Sequence, residues 1–194
     1  MHGKTSRITL TAVFIALTLL LGMTPLGLIP LGVINLTILW LPVITGTLFM
    51  GLKTGIGLGL CFGLASALSA FGLSLVPASA LARALIARSP ILAILMCFVP
   101  RLLVPMTTWL AYKGLGGEER FPLSTAGAAV TGTLTNTVFY LGLMLLFYTV
   151  TGLDNMAVKA VIGGTGLLGG GCEAVAAAIL VPPILRALGR LKRQ

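Results

Sequence analysis

Arg101 lies twelve residues after Ser89 and twelve before Lys113, in a run that is otherwise almost wholly apolar. At about 1.5 Å per helical residue, this places a permanent cation roughly 18 Å from either end of a membrane-length segment. A guanidinium at that depth costs at least ~3 kcal/mol unless protein, water or an anion solvates it. Its planar fork suits bidentate contact with a carboxylate, and removal from water strengthens that bond. Arg101 is therefore expected to face an internal cavity that receives something negative.

Few other side chains can share that chemistry. Glu173 is the only acid inside an expected membrane span, some eight residues from its outer end. It suits a structural hydrogen bond or ion pair, with Arg101 as one partner, and equally a ligand contact or a proton-coupled role. Asn136, in the segment 133–140, brings a donor and an acceptor to a depth similar to that of Arg101. It can join two helices or line the same cavity as Arg101. Asn35 and Trp40 flank the outer start of one span; Trp40 fits an interfacial anchor or an aromatic wall for a ligand. Tyr140, by its location, is a further candidate contact.

The elements that must hold these residues are membrane helices. Of the 194 residues, 57% are hydrophobic and 9% charged, against the roughly 25% charge of a soluble domain. Apolar runs recur along the whole length, so residues 1–194 are expected to form one polytopic domain. Six spans are read at about 8–24, 36–50, 54–71, 90–112, 124–148 and 166–188, giving an all-α integral membrane fold. Lys4 and Arg7 ahead of an apolar run can mimic a signal peptide. No small-residue cleavage site follows at Gly22-Met-Thr-Pro25, so a retained first span is expected.

The net charge of +9 is distributed as a topology signal rather than as a nucleic-acid face. With the N-terminus inside, Lys4, Arg7, Lys53, Lys113, Arg120, Arg186, Arg190, Lys192 and Arg193 are cytoplasmic, and Arg83, Arg88 and Lys159 are external. Nine against three fits the positive-inside pattern with both termini in the cytoplasm. Residues 25–35 are apolar but interrupted by Pro25, Pro30, Gly27 and Gly32, so they cannot form a continuous helix. Irregular apolar backbone is tolerated there only against protein or a cavity. It reads as a loop folded over the outer mouth, with 77–89 as an interfacial helix and 151–159 as another short surface segment.

Other motifs resolve by their register. Gly51, Gly55, Gly59 and Gly63 lie on one helix face and permit close approach, either within the chain or to a partner; Ala12 and Ala16 form the same pattern. Gly164-Thr-Gly166-Leu-Leu-Gly169 matches a dinucleotide fingerprint literally, but no strand precedes it and no acid follows Glu173 to hold a ribose. In 46–54, Leu52 separates Gly51 from Lys53 and breaks a phosphate-loop register. Cys61, Cys97 and Cys172 sit in apolar stretches without metal-ligand spacing, and His2 is the single histidine. No metal, cofactor or catalytic residue is expected.

These residues together resemble the substrate-binding S component of energy-coupling factor (ECF) vitamin transporters, over nearly the whole chain. Ala12-Val-Phe-Ile-Ala16 is similar to the family's A-x-x-x-A patch. Pro30-Leu-Gly-Val-Ile-Asn35, Pro42-Val-Ile, Phe62-Gly-Leu-Ala-Ser66, Pro100-Arg101-Leu-Leu-Val and Thr135-Asn136-Thr look most like the pantothenate-type subgroup. The resemblance implies a vitamin site in the outer half under external loops, with energy supplied by a membrane coupling protein (EcfT) and two cytoplasmic ATPases. It implies that Ala12 and Ala16, with Gly55 and Gly59 as further candidates, contact EcfT. It also implies that Arg101 holds a carboxylate and Asn136 the amide or hydroxyls of pantothenate. Asn35, Trp40, Tyr140 and Glu173 complete the candidate set by location.

Three functions compete on these residues. The first is a non-enzymatic binding subunit for pantothenate, or for a ribazole-like compound, flavin, folate or lipoate. The second is an autonomous proton-coupled carrier using Glu173. The third, a lipid-modifying membrane enzyme, is disfavoured because acid/base or metal chemistry needs more intramembrane acids and histidines than this chain has.

Overall fold

A computed structural model describes residues 2–30, 35–154 and 156–191. Eight α-helices and one small hairpin follow in the order α1 (His2–Met23), β1 (Leu28–Pro30), β2 (Asn35–Thr37), α2 (Trp40–Met50), α3 (Leu52–Ala70), α4 (Ala80–Arg88), α5 (Pro90–Gly114), α6 (Phe121–Thr151), α7 (Met156–Val161) and α8 (Leu167–Leu191). A π-helical turn over Ile162–Gly166 joins α7 to α8.

Four helical stretches are long and apolar enough to cross a membrane: Leu52–Ala70, Pro90–Gly114, Phe121–Thr151 and Met156–Arg190. Arg7–Met23 and Trp40–Met50 are apolar but shorter. The chain is an all-helical membrane protein whose long helices alternate in direction. The hairpin, α4 and α7 therefore gather at one end of the bundle, here termed the hairpin end.

Residues 31–34 of the expected irregular loop lie outside the described residues, and those on either side of them pair as strands. Leu28 pairs with Thr37, Ile29 with Leu36 and Pro30 with Asn35, antiparallel. Pro30 is tolerated because a two-stranded ribbon is all edge, where a missing donor breaks no ladder on the far side. The expected short helix over 77–89 is α4. Ser79 caps it by accepting from the Ala82 N–H at 3.3 Å, and Leu81, Ala82 and Leu85 are its buried face.

α5 is the central pillar, packed along α3 on one side and α6 on the other. Glycine sets one of these distances. A Cβ at Gly59 would lie 2.7 Å from the carbonyl oxygen of Arg101, and one at Gly55 would collide with Thr47 of α2. The glycine face of α3 is thus spent on α2 and α5. Gly55 and Gly59, the further candidates for a partner surface, are both buried against neighbours in their own chain.

Candidate functional site

Arg101 stands near the midpoint of α5 and is 6% exposed. The local sequence explains how its head group is held. An α-helix normally uses the N–H of residue 100 to satisfy the carbonyl of residue 96, but Pro100 has no N–H. The freed carbonyl of Met96 accepts instead from Nη1 of Arg101 at 3.0 Å. Pro105 likewise leaves the Arg101 carbonyl without its usual helical donor, at the place where Gly59 makes room for α3. Two prolines and one glycine therefore fix the backbone and the side chain of the same residue.

The charge is cushioned by aromatic rings. The guanidinium carbon lies 5.2 Å from the centre of the Phe62 ring and 4.5 Å from that of Tyr140. Such contacts contribute about 0.5–2 kcal/mol, more when desolvated. They do not satisfy hydrogen bonds: Nε of Arg101 is buried without a partner. An open Nε edge on a desolvated cation is the geometry that a carboxylate completes.

That cation lines a cavity of about 30 Å³ that extends toward the hairpin end. Its other walls are Met96 and Cys97 of α5, Ser66, Ser69 and Ala70 of α3, Ser79 and Ala82 at the start of α4, and Tyr140 of α6. Leu28 and Thr37, directly paired across the hairpin, form the roof.

The acid expected within the last span does not ion-pair with Arg101 among the described residues. Glu173 of α8 is buried, and its Oε1 accepts from the Thr37 N–H at 3.2 Å. The Thr37 hydroxyl in turn accepts from the Leu39 N–H at 3.1 Å. Glu173 thus fastens the roof to the bundle.

The remaining sequence candidates fall in distinct places. Tyr140 is on the cavity wall. Asn136, one helical turn earlier on the same face of α6, is buried with its Oδ1 unpartnered, but it is not among the lining residues. Trp40 is 2% exposed in a core cluster with Leu28, Leu39 and Val43, so interfacial anchoring does not describe it. Asn35 contributes backbone to the hairpin, and its side chain lies outside the described residues. Ala12 and Ala16 are exposed on α1. Ser66, Ser69 and Ser79 also line the cavity and carry no signal in the sequence that separates them from other small hydroxyls.

Long apolar helices around a hairpin-roofed cavity with a buried guanidinium on its wall define a helical membrane protein with an internal cavity. The chain belongs to the ECF transporter, substrate-specific component family, whose model matches residues 6–185. Members of this family are transporter subunits rather than enzymes; they take a vitamin ligand and act with EcfT and ATPase subunits. No curated protein matches the chain.

Proposed function

We propose that this chain is the pantothenate-binding S component of an ATP-driven importer, with six membrane passages and both termini cytoplasmic. The observation that carries the reading is Arg101: a buried guanidinium set over Phe62 and Tyr140, with Nε unpartnered at the wall of a capped cavity. A carboxylate supplies both the missing acceptor and the missing charge. Asn136, Asn35 and Trp40 remain candidate contacts for the rest of the vitamin, and EcfT is assigned to the exposed Ala12–Ala16 face of α1.

The lining favours a small aliphatic acid over the family's larger aromatic vitamins. Among the described lining residues the single aromatic ring is Tyr140, which already has the guanidinium over it and so is a poor platform for a flavin or pterin ring. At about 30 Å³ the cavity is far below the ~300–1,000 Å³ usual for small-molecule sites. Admission of the vitamin therefore requires the chamber to widen, and the short hairpin is the lightest of its walls.

Equilibrium binding of pantothenate to purified protein tests the assignment. Arg101→Ala is expected to weaken binding by about 2–5 kcal/mol, as when one partner of a buried charged pair is truncated. Undiminished affinity in that variant sinks the carboxylate assignment. Tight binding of riboflavin or folate instead of pantothenate would replace the substrate and keep the subunit role.

A further inference from the structure

Two serines on the wall behave unlike most hydroxyls in these helices. Thr18, Thr45, Thr47, Thr133 and Thr135 each donate to a carbonyl four residues back in their own helix. This is the usual way for a helix to satisfy a buried hydroxyl. Ser66 and Ser69 do not. Both Oγ atoms are buried without any partner, in residues 7% and 3% exposed, and both residues line the cavity. Thr108 and Thr125 are also unpartnered but lie away from it.

Their positions follow from Phe62. Counting along α3 from Phe62 at the Arg101 layer, Ser66 lies one turn and Ser69 two turns nearer the hairpin end, on one face. At the helical rise, they stand about 6 and 10 Å above that layer. Ser79 and Thr37 add to the same region. Each already accepts one backbone N–H, which leaves its own O–H to donate. The chamber therefore has a cationic floor and a hydroxyl-lined upper half.

We propose that Ser66 and Ser69 form a hydroxyl-reading subsite. The chain then selects small carboxylates that carry hydroxyl or amide groups about 6–10 Å from the acid, and rejects their deoxy counterparts. This selectivity rests on the reading of Arg101 as the carboxylate site. Its physical source is that a deoxy ligand leaves both buried serines unpaired, whereas the matching ligand satisfies them.

The test is a ligand-and-protein cycle by calorimetry on the full chain in detergent. The two probes are pantothenate and its analogue with both hydroxyls replaced by hydrogen. Wild type is expected to favour pantothenate by about tenfold or more. The S66A/S69A double variant is expected to lose most of that preference while holding the analogue within about twofold of wild type. If the double variant does not fold, S66A and S69A singly must each reduce the same ratio. A preference that survives the substitutions overturns the serine subsite and leaves Arg101 untouched. Wild-type protein that binds neither probe overturns the subsite and the carboxylate reading together.

Discussion

The carboxylate of Glu173 accepts the backbone N–H of Thr37 across 136 positions of sequence, at 3.2 Å. A buried acid near the start of the last helix thereby bonds the roof, and among the described residues it makes no ion pair with the buried cation. That hydrogen bond ties α8 to the hairpin and fixes where the hairpin lies.

Glu173→Ala is expected to loosen the roof. Hydrogen bonds to charged groups contribute about 1.5–3 kcal/mol, so the ligand dissociation rate should rise by about tenfold or more. Amide exchange at Thr37 should accelerate in parallel. Glu173→Gln retains an acceptor oxygen and should fall between wild type and the alanine variant. Stopped-flow release together with hydrogen exchange checks both, and an unaltered exchange rate at Thr37 excludes the fastening role.

Pro100→Ala restores an N–H that competes with Arg101 for the Met96 carbonyl. Two opposed effects are expected: a helix that is thermally at least as stable, because a helix-interior proline costs about 3 kcal/mol relative to alanine, and a ligand affinity reduced several-fold. Melting and binding measured on the same preparation separate them. A variant that loses stability and keeps affinity contradicts the account of how the guanidinium is held.

Tyr140→Leu removes the ring nearest the cation and should weaken ligand binding by about 0.5–2 kcal/mol. Tyr140→Phe keeps the ring face and should stay close to wild type. Equal losses in both variants point instead to the phenol oxygen as the working atom.

Gly59→Leu places a branched side chain where even a Cβ would stand 2.7 Å from the Arg101 carbonyl. Because that neighbour is backbone and cannot rotate away, α3 must part from α5. A loss of 1–3 kcal/mol or more, typical of over-packing, is expected in unfolding assays, with a matching fall in binding.

Ala16→Trp, on the exposed face of α1, tests the partner assignment. Uptake by cells that also express EcfT and the ATPases should collapse, while the purified variant should bind ligand as wild type does. Uptake that persists moves the docking face elsewhere.

Much of this arrangement was legible in the amino-acid order. Arg101 announced itself because a permanent charge in a long apolar run has few physical solutions. The helices from Leu52 onward followed from apolar length, and α4 from its short amphipathic pattern. What could not be read was partnership. Glu173 is compatible with an ion pair, a ligand contact or a backbone bond, and only the chain path reveals the bond to Thr37. Trp40 carries the composition of an interfacial anchor, yet the packing of Leu28 and Leu39 beside it makes it core. Ser66 and Ser69 look like any other small hydroxyls in a membrane helix, since back-bonding and cavity-facing rotamers share one sequence. Of the glycine stripe, Gly55, Gly59 and Gly63 of α3 meet neighbours, while Gly51 is the turn before that helix. The spacing could not name the occupant, because close approach serves an internal helix and an external one equally well.

The roof has a mechanical lineage as well as a chemical one. α1 ends at Met23 and β1 begins at Leu28; between them, Gly27 and Leu28 both donate to the Thr24 carbonyl in a tight turn. The rod with alanines bare on its flank is thus geared almost directly to the lid of the chamber, while α8 grips that lid from the far end of the chain. Only four residues separate the helix that carries Ala12 and Ala16 from Leu28 of the lid, so the first helix and the cover of the chamber are joined by one short tether.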